Sequence, residues 1–238
     1  MRTLNPVGIR ERFVASGVYE ITLDGVPSPA REEWSIHELE DQALLVRVDH
    51  DWVEAGGSLT LTEALFLPTA QGLRLLRLNQ KVFADRLNQH TRKQSCVLQS
   101  GEARIVLVGR DAKSDYNLAY VLPVNAEHPV YTQTDSILLT GLLVDGIMTA
   151  DEAHRNVHEI IITPEEVAVK KAALTLTSEP ATLDSYPSAR IEKMTLHHAD
   201  RHMLLWLDQH MIALQYQSSS GVSAVLRRYA RRPEPKQP

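Results

Sequence analysis

The chain contains ten histidines, the residue type whose number and spacing come nearest to suggesting chemistry. His154 and His158 are four apart, with Glu159 beside the second. On a helix that spacing puts both imidazoles on one face, as a zinc site requires, and Asp151 could add a third ligand from the preceding turn. A metalloprotease arrangement needs a glutamate directly after its first histidine, and Arg155 stands there instead. A solvated helix face accounts for the same letters more simply. The second cluster is His197, His198, Asp200 and His202. Alternation on a strand sends His197 and His198 to opposite faces, while a tight turn at Ala199-Asp200 brings His202 back towards one of them. Polar hairpin ends carry such residues routinely.

Other chemistries find less support. Asp151-Glu152-Ala153-His154 matches the letters of a helicase box, but no GxxxxGK[ST] phosphate loop accompanies it. No G-x-S-x-G elbow is present, and Cys96, close behind Arg92, Lys93 and Gln94, reads as a structural thiol. Glu32-Glu33, Asp49-Asp51 and Glu165-Glu166 read as solvated faces and turns. Arg227, Arg228, Arg231 and Arg232 lack the interleaved aromatics of a nucleic-acid surface and read as a solubilising strand end. These residues assign no catalytic group, no metal and no cofactor.

The elements that must position any site are strands. Leu44, Val46, Val48 and Trp52 share one parity, and Arg47, Asp49 and Asp51 the other, which is the period of a half-buried strand. Further runs cover 17–23, 30–39, 58–67, 73–83, 91–99, 102–110 and 116–122. A meander of four follows over 189–198, 202–207, 211–217 and 222–229. Turns at Asp24-Gly25, Gly56-Gly57, Gln71-Gly72, Ser100-Gly101 and Ser220-Gly221 separate them. Thr149 and Glu152 form a capping box, predicting a short helix over 150–159. Thr163-Pro164-Glu165-Glu166 is a second helix-start signature, which leaves 164–172 ambiguous ahead of a strand at 173–178. Asp135 to Asp145 is the most apolar stretch, and its periodicity does not separate a buried strand from a buried helix.

Composition bounds the rest. A hydrophobic fraction of 43% against 23% charged supports a sizeable core, and 5% aromatic content means that core rests on Leu, Val, Ile and Ala. A net charge of −5 disfavours nucleic acid as a partner. With one cysteine there is no intrachain disulfide, which fits a reducing compartment. No window reaches the length of a membrane span. With Met1 as the native start, the expectation is a soluble, cytoplasmic protein.

The predicted fold is all-β with one or two short helices: a single domain over 1–229 and a disordered tail over 230–238. One or two helices cannot cover about a dozen strands, so the antiparallel sheet must curl into a barrel or half-barrel. Large barrels enclose more volume than side chains fill, which leaves room for a hydrophobic or amphipathic small molecule. Candidate lining residues on the apolar faces are Trp34, Trp52, Leu59, Leu61, Leu65, Leu75 and Trp206. A fully packed β core is the alternative.

Leu204-Leu205-Trp206-Leu207-Asp208 followed by Met211-Ile212-Ala213-Leu214-Gln215-Tyr216 resembles the closing hairpin of half-barrel lipid carriers. These include the bacterial lipoprotein-localisation carriers and glycolipid-binding proteins. Asp135-Ser136-Ile137-Leu138-Leu139 is similar to a short apolar segment that precedes a helix there. The likeness covers about a third of the chain. Members often follow the aspartate with glycine, where this chain has Gln209-His210, and many are exported. The resemblance implies an acyl chain or glycolipid in the concave sheet and supplies no catalytic residue. Three functions are ranked: binding of an amphiphile, then an interaction or scaffold protein with a solid β core, then a metal-dependent hydrolase using His154 and His158.

Overall fold

Glycine turns cut the chain into short alternating runs, and in the computed structural model these runs form one continuous sheet. The structure describes residues 1–83, 91–99, 101–110, 115–124, 129–132, 134–148, 154–162, 166–199 and 201–233. The first half supplies β1 (Arg12–Leu23), β2 (Val26–Glu38), β3 (Leu44–Asp51), β4 (Leu59–Thr69) and β5 (Gly72–Phe83). It continues with β6 (Thr91–Gln99), β7 (Glu102–Arg110), β8 (Asp115–Pro123) and the three-residue β9 (Val130–Thr132). A helix, α1 (Ile137–Asp145), precedes β10 (His154–Ile162), β11 (Val167–Ala181) and β12 (Ile191–His198). The chain closes with β13 (Arg201–Asp208), β14 (Ala213–Ser218) and β15 (Val222–Arg231).

The strand order is β8-β7-β6-β5-β4-β3-β2-β1-β15-β14-β13-β12-β11-β10-β9. The first and last strands therefore meet in the middle, and hairpins lead outward on both sides. Pairing is antiparallel throughout, except that β9 runs parallel to β10. The sheet curls without closing, leaving β8 and β9 as its edges, and β8 approaches β11 across the gap. A curled antiparallel half-barrel is what the sequence predicts, built from fifteen described strands rather than a dozen.

The helix lies elsewhere than predicted. Residues 149–153, with the capping box, fall outside the described residues, and His154–Ile162 is a strand pairing with β11 in unbroken register. Val157, His158, Glu159 and Ile160 are all buried, so β10 shows no one-sided pattern, and its β-branched residues favour a strand. Residues 137–145, including Ile137-Leu138-Leu139, form the helix itself rather than a segment ahead of one. The Ser136 hydroxyl caps it by accepting from the Leu139 amide at 3.1 Å. Its residues are apolar all round because the helix lies inside the curl, where Ile137 to Val144 are all buried. Of the ambiguous 164–172, the part from Val167 belongs to β11, and β15 runs to Arg231, so residues 230 and 231 are strand.

Candidate functional site

The concave face can be followed across strands by register. Trp34, Val48, Thr62, Gln80, Gln94, Leu107 and Leu118 are successive cross-strand partners from β2 to β8. The neighbouring row runs Ile36, Val46, Ala64, Leu78, Cys96, Ile105 and Tyr120. Most of this second row, together with α1, belongs to one contiguous apolar cluster. The helix thus fills much of the interior. Gly141 permits its close approach, because a Cβ there would lie 2.6 Å from the Met211 carbonyl oxygen.

A carboxylate ties α1 to the sheet. Glu32 on β2 is fully buried, and its oxygens accept from the Ile137 and Leu138 amides at 3.0 Å and from the Ser136 hydroxyl at 3.2 Å. These donors include the free amides of the helix start, where a negative charge is favoured. Burial nevertheless dominates and pushes the carboxyl up to about 7, with Asp135 adding to the rise and the three hydrogen bonds opposing it. Its cross-strand neighbours are Tyr19 and His50. Burial takes His50 down to about 4, and its Nε2 accepts from the Trp52 indole, as a neutral imidazole can.

The seven predicted lining residues divide. Trp34 and Leu75 are buried in the apolar cluster, and Trp52 packs on it half-buried. Leu59, Leu61 and Leu65 instead alternate with Thr60, Thr62 and Ala64, and the latter carry the parity of the concave face. Leu61 lies on the convex side, paired with Asp49 and buried. Trp206 also faces away from its core neighbours Leu205 and Leu207, with the Lys193 ammonium 6.0 Å from its ring centroid. The N-terminal segment crosses the leucine face of β4, where Leu61 is buried and Leu59 and Leu65 are half-buried.

That segment also corrects the reading of Asp49 and Asp51 as solvated. Arg2 bonds Asp49 at 2.9 Å and Asp51 at 2.6 Å, and Asn5 donates to Glu63 at 3.1 Å. Beneath it, buried Arg47 donates to Glu11 at 2.6 and 2.8 Å and lies 3.7 Å from Glu63. The Arg47 bonds bring the Glu11 carboxyl down to about 2. His37 touches both Glu11 and Arg47 through Nδ1, at 3.1 and 2.9 Å. Burial and the Arg47 charge lower its pKa, so the neutral ring accepting from Arg47 is the better account. Glu32 corrects the same expectation from the other face of the sheet.

The histidines do not converge. Positions 154 and 158 on a strand stand roughly 13 Å apart, which removes the helical geometry behind the hydrolase reading. His197 stacks on His202 with centroids 4.3 Å apart, while buried His198 faces the other way, 3.4 Å from Glu159. Asp200 lies outside the described residues. Among the described residues no three His, Cys, Asp or Glu side chains gather as a metal would need. Cys96 is buried, and burial pushes its thiol up to about 12, far from a nucleophile's range. No described helix is long and apolar enough to cross a membrane.

No family model and no curated protein matches the chain. Its fold does have a counterpart. The crystal structure of a β-barrel-like protein of the domain of unknown function DUF1849, from Brucella abortus, aligns with a TM-score of 0.53 at 12% identity. The alignment covers 94% of this chain and 100% of that one. This likeness shows a β-barrel-like fold alone; the carrier families suggested by the 204–216 hairpin draw no direct support from it.

Sequence reasoning missed Glu32, Gln80 and Gln94. Glu32 reads as half of an acidic pair, and the glutamines as ordinary polar positions. The available signal was parity: each falls in phase with core residues of its own strand, Glu32 with Trp34, Gln80 with Leu78 and Gln94 with Cys96.

Proposed function

We propose that this chain is a non-catalytic binding protein for a hydrophobic or amphipathic small molecule, held against the concave wall near the open edge. The carrying observation is Leu118, which continues the concave row onto edge strand β8 and is nonetheless 38% exposed. A leucine on the inner face of a curled sheet is normally covered. Half-buried Tyr116, Tyr120 and Leu122 share that face of β8. The interior occupied by α1 moves the site from the centre of the curl to its rim, a change from the lining set that alternation suggested. The hairpin resemblance to lipid-carrier half-barrels supports the same ligand class.

Native mass spectrometry followed by denaturing extraction tests this. A discrete added mass that extracts as an amphiphile is expected. A bare polypeptide mass, unchanged after exposure to a lipid mixture, would remove the proposal.

One observation favours an interaction protein instead. Val106, Val108 and Val121 lie on the convex side of β7 and β8 beside the unpaired edge, and Val121 is 62% exposed. An exposed apolar edge is a template for a further strand. A bare mass combined with specific capture of an extended peptide would favour that reading.

A further inference from the structure

The concave face of β4 to β6 contains a polar ladder that ends without a partner. Gln80 Nε2 donates to Thr62 Oγ1 at 3.1 Å, and Gln94 Nε2 donates to Gln80 Oε1. There the chain of bonds stops. Gln94 is only 8% exposed, and its buried Oε1 has no donor. Two residues along the same face of β6, the Arg92 Nε–H is buried with no acceptor, and Arg92 makes no ion pair among the described residues. The ladder row continues into Leu107 and then the exposed Leu118.

A closed core pairs such groups, since an unsatisfied buried amide is costly and a charged group more so. Here an acceptor and a cationic donor are left open side by side, next to apolar surface at the rim. Swapping the amide atoms of Gln94 would only turn the open acceptor into an open donor and break its bond to Gln80. The arrangement is complementary to a molecule with an acid for Arg92, a hydroxyl for Gln94 and an apolar portion for Leu118.

We propose that Arg92 and Gln94 bind the headgroup of an acidic amphiphile that also carries a hydroxyl, with its apolar chain against Leu118. This deepens the binding function proposed above and rests on it. Carboxylate and phosphate share the required chemistry, because either accepts from a guanidinium through charge-assisted bonds.

Titration of the full chain with dodecanoyl-glycerol phosphate, dodecanoylglycerol and dodecyl phosphate separates the parts. The first probe, which has both acid and hydroxyl, should bind at least about tenfold tighter than either of the others, the value of one good hydrogen bond. Arg92→Gln should abolish its advantage over dodecanoylglycerol, and Gln94→Leu, which also removes the bond to Gln80, its advantage over dodecyl phosphate, each compared at a temperature where circular dichroism shows the variant folded. Binding of all three probes with equal affinity in the unmodified protein would overturn the headgroup assignment and leave amphiphile binding standing. Binding of none would overturn both. Measurements on the unmodified chain decide between these outcomes even if a variant folds poorly.

Discussion

At the scale of single residues, two buried charges make opposite contributions to stability. Glu32 is held above its ordinary value of 4.5, at about 7, by burial. Between those values the folded chain retains a proton that the unfolded chain has released, so its contribution is full below pH 4.5 and is lost as pH rises through about 7. The loss is about 3 kcal/mol. Urea denaturation at pH 5 and pH 8 should therefore show a decline in stability that Glu32→Gln flattens; an unchanged slope would mean that Glu32 ionises normally. Glu32→Ala should be destabilising at both values, because it leaves two helix amides without an acceptor. Arg47 works the other way, as the hub of paired charges on the convex side. Arg47→Ala leaves Glu11 without its cation, and Glu63 with Arg77 alone, and should cost about 3–5 kcal/mol, while Arg47→Met, which fills the same space, should cost less if Glu11 is neutralised with it. Chemical denaturation of the single and double variants checks both statements.

The helix is where one element decides the interior. α1 contacts β5 and β14 and so bridges the two halves of the sheet. Its other end is fixed by the Asp145 carboxylate, which accepts from the Leu73 amide at 2.8 Å. Gly141→Val would drive a branched side chain into the Met211 carbonyl and the Leu207 side chain. The expected result is a destabilisation of roughly 1–3 kcal/mol, read as a lowered melting temperature; an unaltered one would mean that the helix can shift within the curl. β10 carries the complementary lesson. Its burial on both faces erased the alternation that identifies strands elsewhere, and a capping box just ahead of it pointed to a helix.

For the molecule as a whole, the open edge governs both proposed modes of binding. The curled sheet hides most of its apolar face around α1 but leaves the outer edge of β8 unpaired, with Leu118 inside and Val121 outside. If the convex strip drives association, Val121→Lys should suppress concentration-dependent oligomers in analytical ultracentrifugation with the melting temperature unchanged. It should leave amphiphile binding intact, because Val121 and Leu118 lie on opposite faces of one strand. Loss of both behaviours together would show that the edge acts as a single surface.

What the sequence by itself determined is the local half of this structure. Alternation and turn residues placed most of the strands within a few residues of their ends, and the scarcity of helix required the sheet to curl. Local patterning could not decide which parity of β4 faces inward, since Leu59, Leu61 and Leu65 look like core residues and Thr62 does not. The N-terminal segment settled that by covering the leucine side, a contact across some sixty residues of chain, seen in Asn5 and Glu63. The same non-local packing turned Glu32 from half of an acidic pair into the anchor of a buried helix. It also set Thr62, Gln80 and Gln94, scattered through three strands, into a single polar ladder with Arg92 beside its end. Period and propensity are properties of neighbouring residues and can be read in order; burial and pairing belong to surfaces that exist only once the sheet has curled.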